Sequence, residues 1–211
     1  MQGGLTTIAE HDIQNVDELR AVIGEEIPGL AEKNIDYLDS FAKEYIAKCP
    51  FLVLSTSDAE GRVDESPKGD TPGFVDVVDE RTLLIPDRPG NKLAYGHQNI
   101  LGSPQVGILM MIPGTSETLR INGRAFLTAD PVVLSRLAAR GKDAILAIQV
   151  DVEECFFHCG KAFIRSKLWD SETWAGHKVS FGEIYAARTN LPKDVSKTVD
   201  ASIESDYQNN L

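Results

Sequence analysis

Apolar and polar positions alternate with changing period along the chain, dividing it into a helical start, a strand-rich centre and a mixed end. Asn15 with Glu18 reads as a capping pair for a short helix, with Leu19, Val22 and Ile23 on its inward face and closure near Gly24. Leu38, Phe41, Tyr45 and Ile46 then recur at helical spacing against Asp39, Lys43, Glu44 and Lys48, which predicts a second helix stopped by Cys49-Pro50.

From Phe51 the period shortens. Phe51 to Thr56 and Arg62 to Lys68 flank Asp58-Ala-Glu-Gly61 as a hairpin, and Phe74 to Val78 with Thr82 to Pro86 make a second one. Asp87-Arg88-Pro89-Gly90 turns the chain into a predicted helix from Asn91 to about Leu101, with Asn91 as its N-cap. Val106 to Ile112 is apolar throughout and reads as a strand buried on both faces. Glu117 to Thr128 returns as a long strand through Gly123, and Asp130-Pro131 opens a helix ending at Gly141. Ile145 to Phe157 is the last strand, Lys161 to Trp169 a turn and helix, and Val195, Val199 and Ile203 mark a docking helix in the tail. About six strands in hairpin order with single helices between them imply an antiparallel barrel or strongly curled sheet in an α+β, mainly β, protein. The expected divisions are a helical lead-in (1–49), a barrel domain (50–170) and a C-terminal extension (171–211).

Composition narrows the partners. A net charge of -11 argues against nucleic acid and anionic membranes, and it makes any local cluster of cations informative. Neither a basic-apolar leader nor an apolar run long enough to cross a bilayer occurs, so the expected location is the cytoplasm. The odd count of 3 cysteines fits reduced thiols there.

Motifs for a nucleophile elbow, a P-loop and a dinucleotide fold are absent. Cys155, His158 and Cys159 lie close in sequence, but on a strand the two cysteines face away from the histidine, so they read as a small buried pair rather than a zinc set. The strongest chemical feature is the stretch Ser66 to Leu101, where Arg88 and Lys92 flank a predicted helix start suited to an anion. Lys161, Arg165 and Trp169 form either a solvated basic face or a second element for an anion or a ring.

Three runs, Ser66-Pro-Lys-Gly-Asp70, Leu84-Ile-Pro-Asp-Arg-Pro-Gly-Asn91 and His158-Cys-Gly-Lys-Ala-Phe-Ile-Arg-Ser-Lys-Leu-Trp169, together resemble the pyridoxamine 5'-phosphate oxidase-like family of flavin-binding split barrels. The likeness covers Phe51 to Trp169 and is closest to its subgroup of probable FMN-dependent proteins. The resemblance implies a homodimer with FMN between subunits and a small-molecule substrate. It assigns the ring to Lys68, Ile85 and Pro86, the phosphate to Asn91 and Lys92, and further contacts to Ser66, Asp87, Arg88, Thr118, Arg120, Lys161 and Arg165. Lys68 would then place positive charge at the ring's N1–C2=O edge and raise its reduction potential. No residue is assigned as a nucleophile or a metal ligand. The likeness does not extend to the paired basic residues of the phosphate loop or to the family's substrate segment, so it does not imply oxidation of pyridoxamine phosphate. Two functions remain: a flavin-dependent oxidoreductase, or a module that carries or senses a flavin or related cofactor without turnover.

Overall fold

The computed structural model describes residues 12–192 and 194–209 and divides after Asn34 into two units. In the first, helix α1 (Val16–Ile23) has the expected caps: Asn15 Oδ1 accepts from the Glu18 N–H at 2.9 Å, and Gly24 closes it with φ 84°. Among the described residues of this unit, however, nothing covers its apolar side chains: Val22 is 71% and Ile23 62% exposed.

The second unit is built on one sheet. Its strands are β1 (Phe51–Ser57), β2 (Val63–Gly69), β3 (Asp76–Val77), β4 (Thr82–Asp87), β5 (Gln105–Met111), β6 (Thr118–Thr128) and β7 (Leu146–His158). They lie in the order β2-β1-β5-β6-β7-β4-β3, every neighbour antiparallel, so the fold is α+β with a sheet that stays open. The curl is visible in its side chains. Lys68 on β2 bonds Asp87 on β4 although β1, β5, β6 and β7 lie between them in the sheet.

Helix α2 (Ser40–Lys48) plugs one side of this curl. Asp39, expected to face outward, caps it by accepting from the Ala42 N–H at 2.8 Å. Leu38, Ala42, Tyr45 and Ile46 enter the core beside Leu52, Met110 and Ile121. Phe41 stays 69% exposed, because Ala42 holds the inward position and turns Phe41 to the edge of the stripe. The β5 strand also departs from expectation. Val106, Ile108 and Met110 are buried while Gly107, Leu109 and Met111 are only partly covered, so one face is core and the other half-covered.

Helix α3 (Tyr95–Gly102) is fixed over β1 by Ile100 in the core and by Asn99 Nδ2 donating to the buried Thr56 hydroxyl at 3.0 Å. Helix α4 (Pro131–Arg136) stops five residues before Gly141, as Leu137 turns in against Ala144 and Ala147. Helix α5 (Lys161–Ser166) follows β7, and then come α6 (Phe181–Thr189), which the sequence pattern does not reveal, and α7 (Asp194–Asn209), the expected tail helix.

The α6–α7 pair is held at a close approach. Asp200 accepts from the Ser180 hydroxyl at 2.6 Å and from the Gly182 N–H at 2.8 Å, and a Cβ on Gly182 would lie 2.0 Å from the Ser196 carbonyl oxygen. Gly182→Ala is therefore expected to force the helices apart at a cost of about 1–3 kcal/mol. The check is a thermal melt followed at 222 nm, where an unchanged curve would contradict the close approach.

Candidate functional site

The split in the sheet opens onto a cavity of ≈ 680 Å³ between β2, the end of β4, residues 88–94, the start of α3 and the start of β7. That volume lies within the usual range of small-molecule sites. Its construction follows from the strands. Along β2, Asp64, Ser66 and Lys68 alternate inward while Glu65 and Pro67 are exposed, so the inner face is polar. Pro86, Leu146 and Ile148 supply an apolar wall.

At the inner end lies a charged cluster. Lys68 Nζ is 2.5 Å from Asp87 Oδ1, with both side chains only 14% exposed, and His97 Nε2 stands 3.5 Å from the same oxygen. Burial alone would push the Asp87 carboxyl up, but His97 and Lys68, through contact and charge, outweigh it and hold the carboxyl below its ordinary value. At the mouth, Lys92 is exposed, and the strained backbone sets its position: Lys92 has φ 61° and Ala94 φ 56°, two non-glycine residues in the left-handed region within three positions. Such outliers persist where the surroundings over-determine them, and functional loops are where they cluster.

The site is not organised by a helix start at Asn91. The helix begins at Tyr95, with Ala94 before it and no capping side chain, and Asn91 Oδ1 instead accepts from the Leu93 N–H at 3.0 Å, closing a turn inside the loop. Arg88 is absorbed by the fold: its Nε donates to Asp70 Oδ2 and its Nη2 to the Leu137 carbonyl, each at 2.9 Å.

Of the residues singled out from sequence, Ser66, Lys68, Pro86, Asp87, Arg88, Asn91 and Lys92 line the cavity together. Ile85 does not, because its side chain is in the core. Thr118 and Arg120 on β6 and Lys161 and Arg165 on α5 are not part of its lining within one chain. Arg120 lies over the Phe156 ring at 5.1 Å. Trp169, a candidate for stacking on a ligand, is stacked on Phe163 and donates Nε1–H to the Thr115 carbonyl at 2.8 Å. Cys155 is buried, its thiol pushed up to about 12 by burial, whereas Cys159 is exposed, so the two form no buried pair. Sequence reasoning misses His97: a helix begun at Asn91 hides that it falls in the first turn of a helix begun at Tyr95, facing the cavity.

A second cavity of ≈ 590 Å³ lies beyond Asp70, but its cations are already engaged. Arg88 is paired with Asp70, Arg136 with Asp76, and Lys43 with Glu80. The cavity at the split is the better site, since Lys92 there has no carboxylate partner among the described residues.

An α+β chain with an open, curled antiparallel sheet and a polar cavity at its split has the architecture of a split barrel. The family model for pyridoxamine 5'-phosphate oxidase matches residues 38–159, well over half of the chain, and the protein belongs to that family. No curated protein matches it in sequence. Among solved structures, it is similar to HupZ of Group A Streptococcus at 16% identity, covering 56% of this chain and 92% of that one (TM-score 0.46). A putative pyridoxamine 5'-phosphate oxidase of Lactobacillus delbrueckii is 20% identical over 58% of this chain and 95% of that one (TM-score 0.46). The heme storage protein HutZ of Vibrio cholerae is 18% identical over 58% and 94% (TM-score 0.42). No helix among the described residues is long and apolar enough to cross a membrane.

Proposed function

We propose that the protein binds FMN in the cavity at the split and acts as a flavin-dependent oxidoreductase on a small molecule, as a cytoplasmic homodimer. The observation that carries this reading is the meeting, around one cavity, of Lys68, of Asp87, Asn91 and Lys92, and of the apolar Leu146 and Ile148, from three separate stretches of sequence. An isoalloxazine ring suits the wall of Pro86, Leu146 and Ile148, and a phosphate suits the strained loop at Lys92. Bound FMN would supply hydride and electron transfer; the chain's own residues would bind and orient it and set its electrostatics. In the dimer, the exposed Arg120, Lys161 and Arg165 would reach the cavity from the second subunit, whereas Thr118 is buried in its own chain. A second reading, a flavin carrier or sensor without turnover, is favoured by the lack of a recognisable family substrate segment in the sequence.

Protein purified without added cofactor should show the two visible bands of oxidised flavin, and colourless protein that ignores added FMN would refute both readings. Bleaching by NADH or NADPH with recovery in air separates the enzyme from the carrier. Lys92→Ala should lose one or two charge-assisted hydrogen bonds worth about 1.5–3 kcal/mol each, so FMN affinity measured by fluorescence quenching should fall at least about tenfold. Unchanged affinity would place the phosphate elsewhere.

A further inference from the structure

One carboxylate in the cavity faces two cation-forming groups. Lys68 Nζ has taken Asp87 Oδ1 at 2.5 Å, while His97 Nε2, 3.5 Å from that oxygen, has no hydrogen-bond partner among the described residues. All three side chains are at least four-fifths covered, so water screens them little. In this arrangement Lys68 brings no net charge to the cavity, because Asp87 offsets it. We propose that His97 and Asp87 govern where the Lys68 ammonium sits, so that a proton on His97 turns Lys68 from its carboxylate into the cavity and strengthens the hold on an anionic or electron-rich ring ligand.

The mechanics need no backbone motion. A protonated imidazole becomes a donor at both nitrogens, and His97 is already aimed at Asp87 Oδ1. The Lys68 ammonium stands on a flexible four-carbon stem and can swing, whereas the imidazole is fixed to α3. Asp87 stays ionised throughout and exchanges one counter-ion for the other, and the cavity gains one positive charge.

The other charged groups around the cluster do not supply the same exchange. From β2, Asp64 and Glu65, which both precede Ser66, add negative charge, with Glu65 turned outward. From the loop, Arg88 is bound to Asp70 and Lys92 lies at the mouth. Tyr95 precedes His97 on α3, and the β7 wall contributes only apolar side chains.

The inference rests on FMN as the ligand only in its second measurement. In flavin-free protein, the side-chain 15Nζ and 13Cε resonances of Lys68, assigned by their loss in Lys68→Met, should move between pH 8 and pH 5 and stay flat in His97→Gln. Equal movement in both overturns the exchange. For FMN itself, affinity should rise by about fivefold or more over the same range relative to His97→Gln, a comparison that cancels titration of the FMN phosphate. Asp87→Asn should abolish the difference as well and should bind FMN more tightly than the wild type at pH 8, since Lys68 is then free; weaker binding would overturn the proposal. If Lys68 follows His97 but FMN never binds, the switch stands and the flavin reading fails. If FMN binds with one pH dependence in all variants, the flavin reading stands and the switch fails.

Discussion

Asp70→Ala should destabilise the protein by about 3–5 kcal/mol, the usual loss when a buried ion cluster is broken from one side. The Asp70 side chain is 1% exposed and holds two guanidinium groups, Arg88 Nε at 2.9 Å and Arg140 Nη1 at 2.7 Å. Arg88 is only 22% exposed and keeps just the Leu137 carbonyl, so it is left as a poorly compensated cation, whereas Arg140 at 48% turns to water more freely. For a chain of this size the loss corresponds to a fall in Tm of roughly 6–20 °C. Asp70→Asn keeps the shape and removes the charge, so it should lose nearly as much. A fall of a degree or two in both variants would show that the cluster does not hold the fold.

The same cluster gives stability a pH signature. Burial pushes the Asp70 carboxyl up, but the Thr71 N–H and the two arginines more than compensate and hold it below its ordinary value. A depressed carboxyl contributes stability above its unfolded pKa of about 3.9, and that contribution disappears as pH falls through the folded value. The gap in Tm between wild type and Asp70→Ala should therefore be constant near neutrality and close as the pH drops below about 4. Asp70 follows β2 and Arg88 follows β4, so this bond spans the split beside the cavity and anchors the loop that carries Lys92. Loss of FMN binding in Asp70→Ala at temperatures where it is still folded would follow from that position.

Much of this arrangement is legible in the amino-acid sequence, and the parts that are not share a cause. The β1–β2 and β3–β4 hairpins and the Asn15 and Asp130 caps follow from local chemistry, in which a turn residue or a side-chain acceptor decides the outcome alone. The cavity loop misleads because Asn91 is a good cap in isolation. In the fold it closes an internal turn and leaves α3 to start at Tyr95, a preference set by Asn99 and Ile100 docking on β1 rather than by the loop itself. Arg88 is ambiguous for the same reason: its partner Asp70 is far away in sequence, and only the curl of the sheet brings them together. The α6 helix escapes notice because its apolar residues form no stripe, and its anchor, Gly182, acts by lacking a side chain.

Gly123→Ala should be as damaging as the loss of Asp70, at about 3 kcal/mol or more, for a purely steric reason. A Cβ at this position would lie 2.1 Å from the Asp151 carbonyl oxygen, a backbone atom that cannot step aside without moving β7. The pairing explains why the strands approach so closely here. Asn122 faces Glu154 and Gly123 faces Val152, so Glu153 is an extra residue and β7 is bulged. The burial of β7 records the consequence: Ile148, Val150 and Val152 point inward before the bulge, and Cys155 is inward after it. Were the bulge removed, one half of β7 would be turned inside out, since a slip of one residue exchanges the faces of a strand. The half at risk includes Leu146 and Ile148, the apolar wall of the cavity, in register with Asp87 and Ile85. Gly123→Ala should thus lower Tm by roughly 6–12 °C and, where it still folds, weaken FMN binding although it lies outside the cavity lining. Backbone amide spectra offer the sharper check. Displaced resonances should run along β7 in both directions from Asp151, and a variant with wild-type Tm and shifts confined to Gly123 and its immediate neighbours would show that the bulge does not depend on the missing side chain.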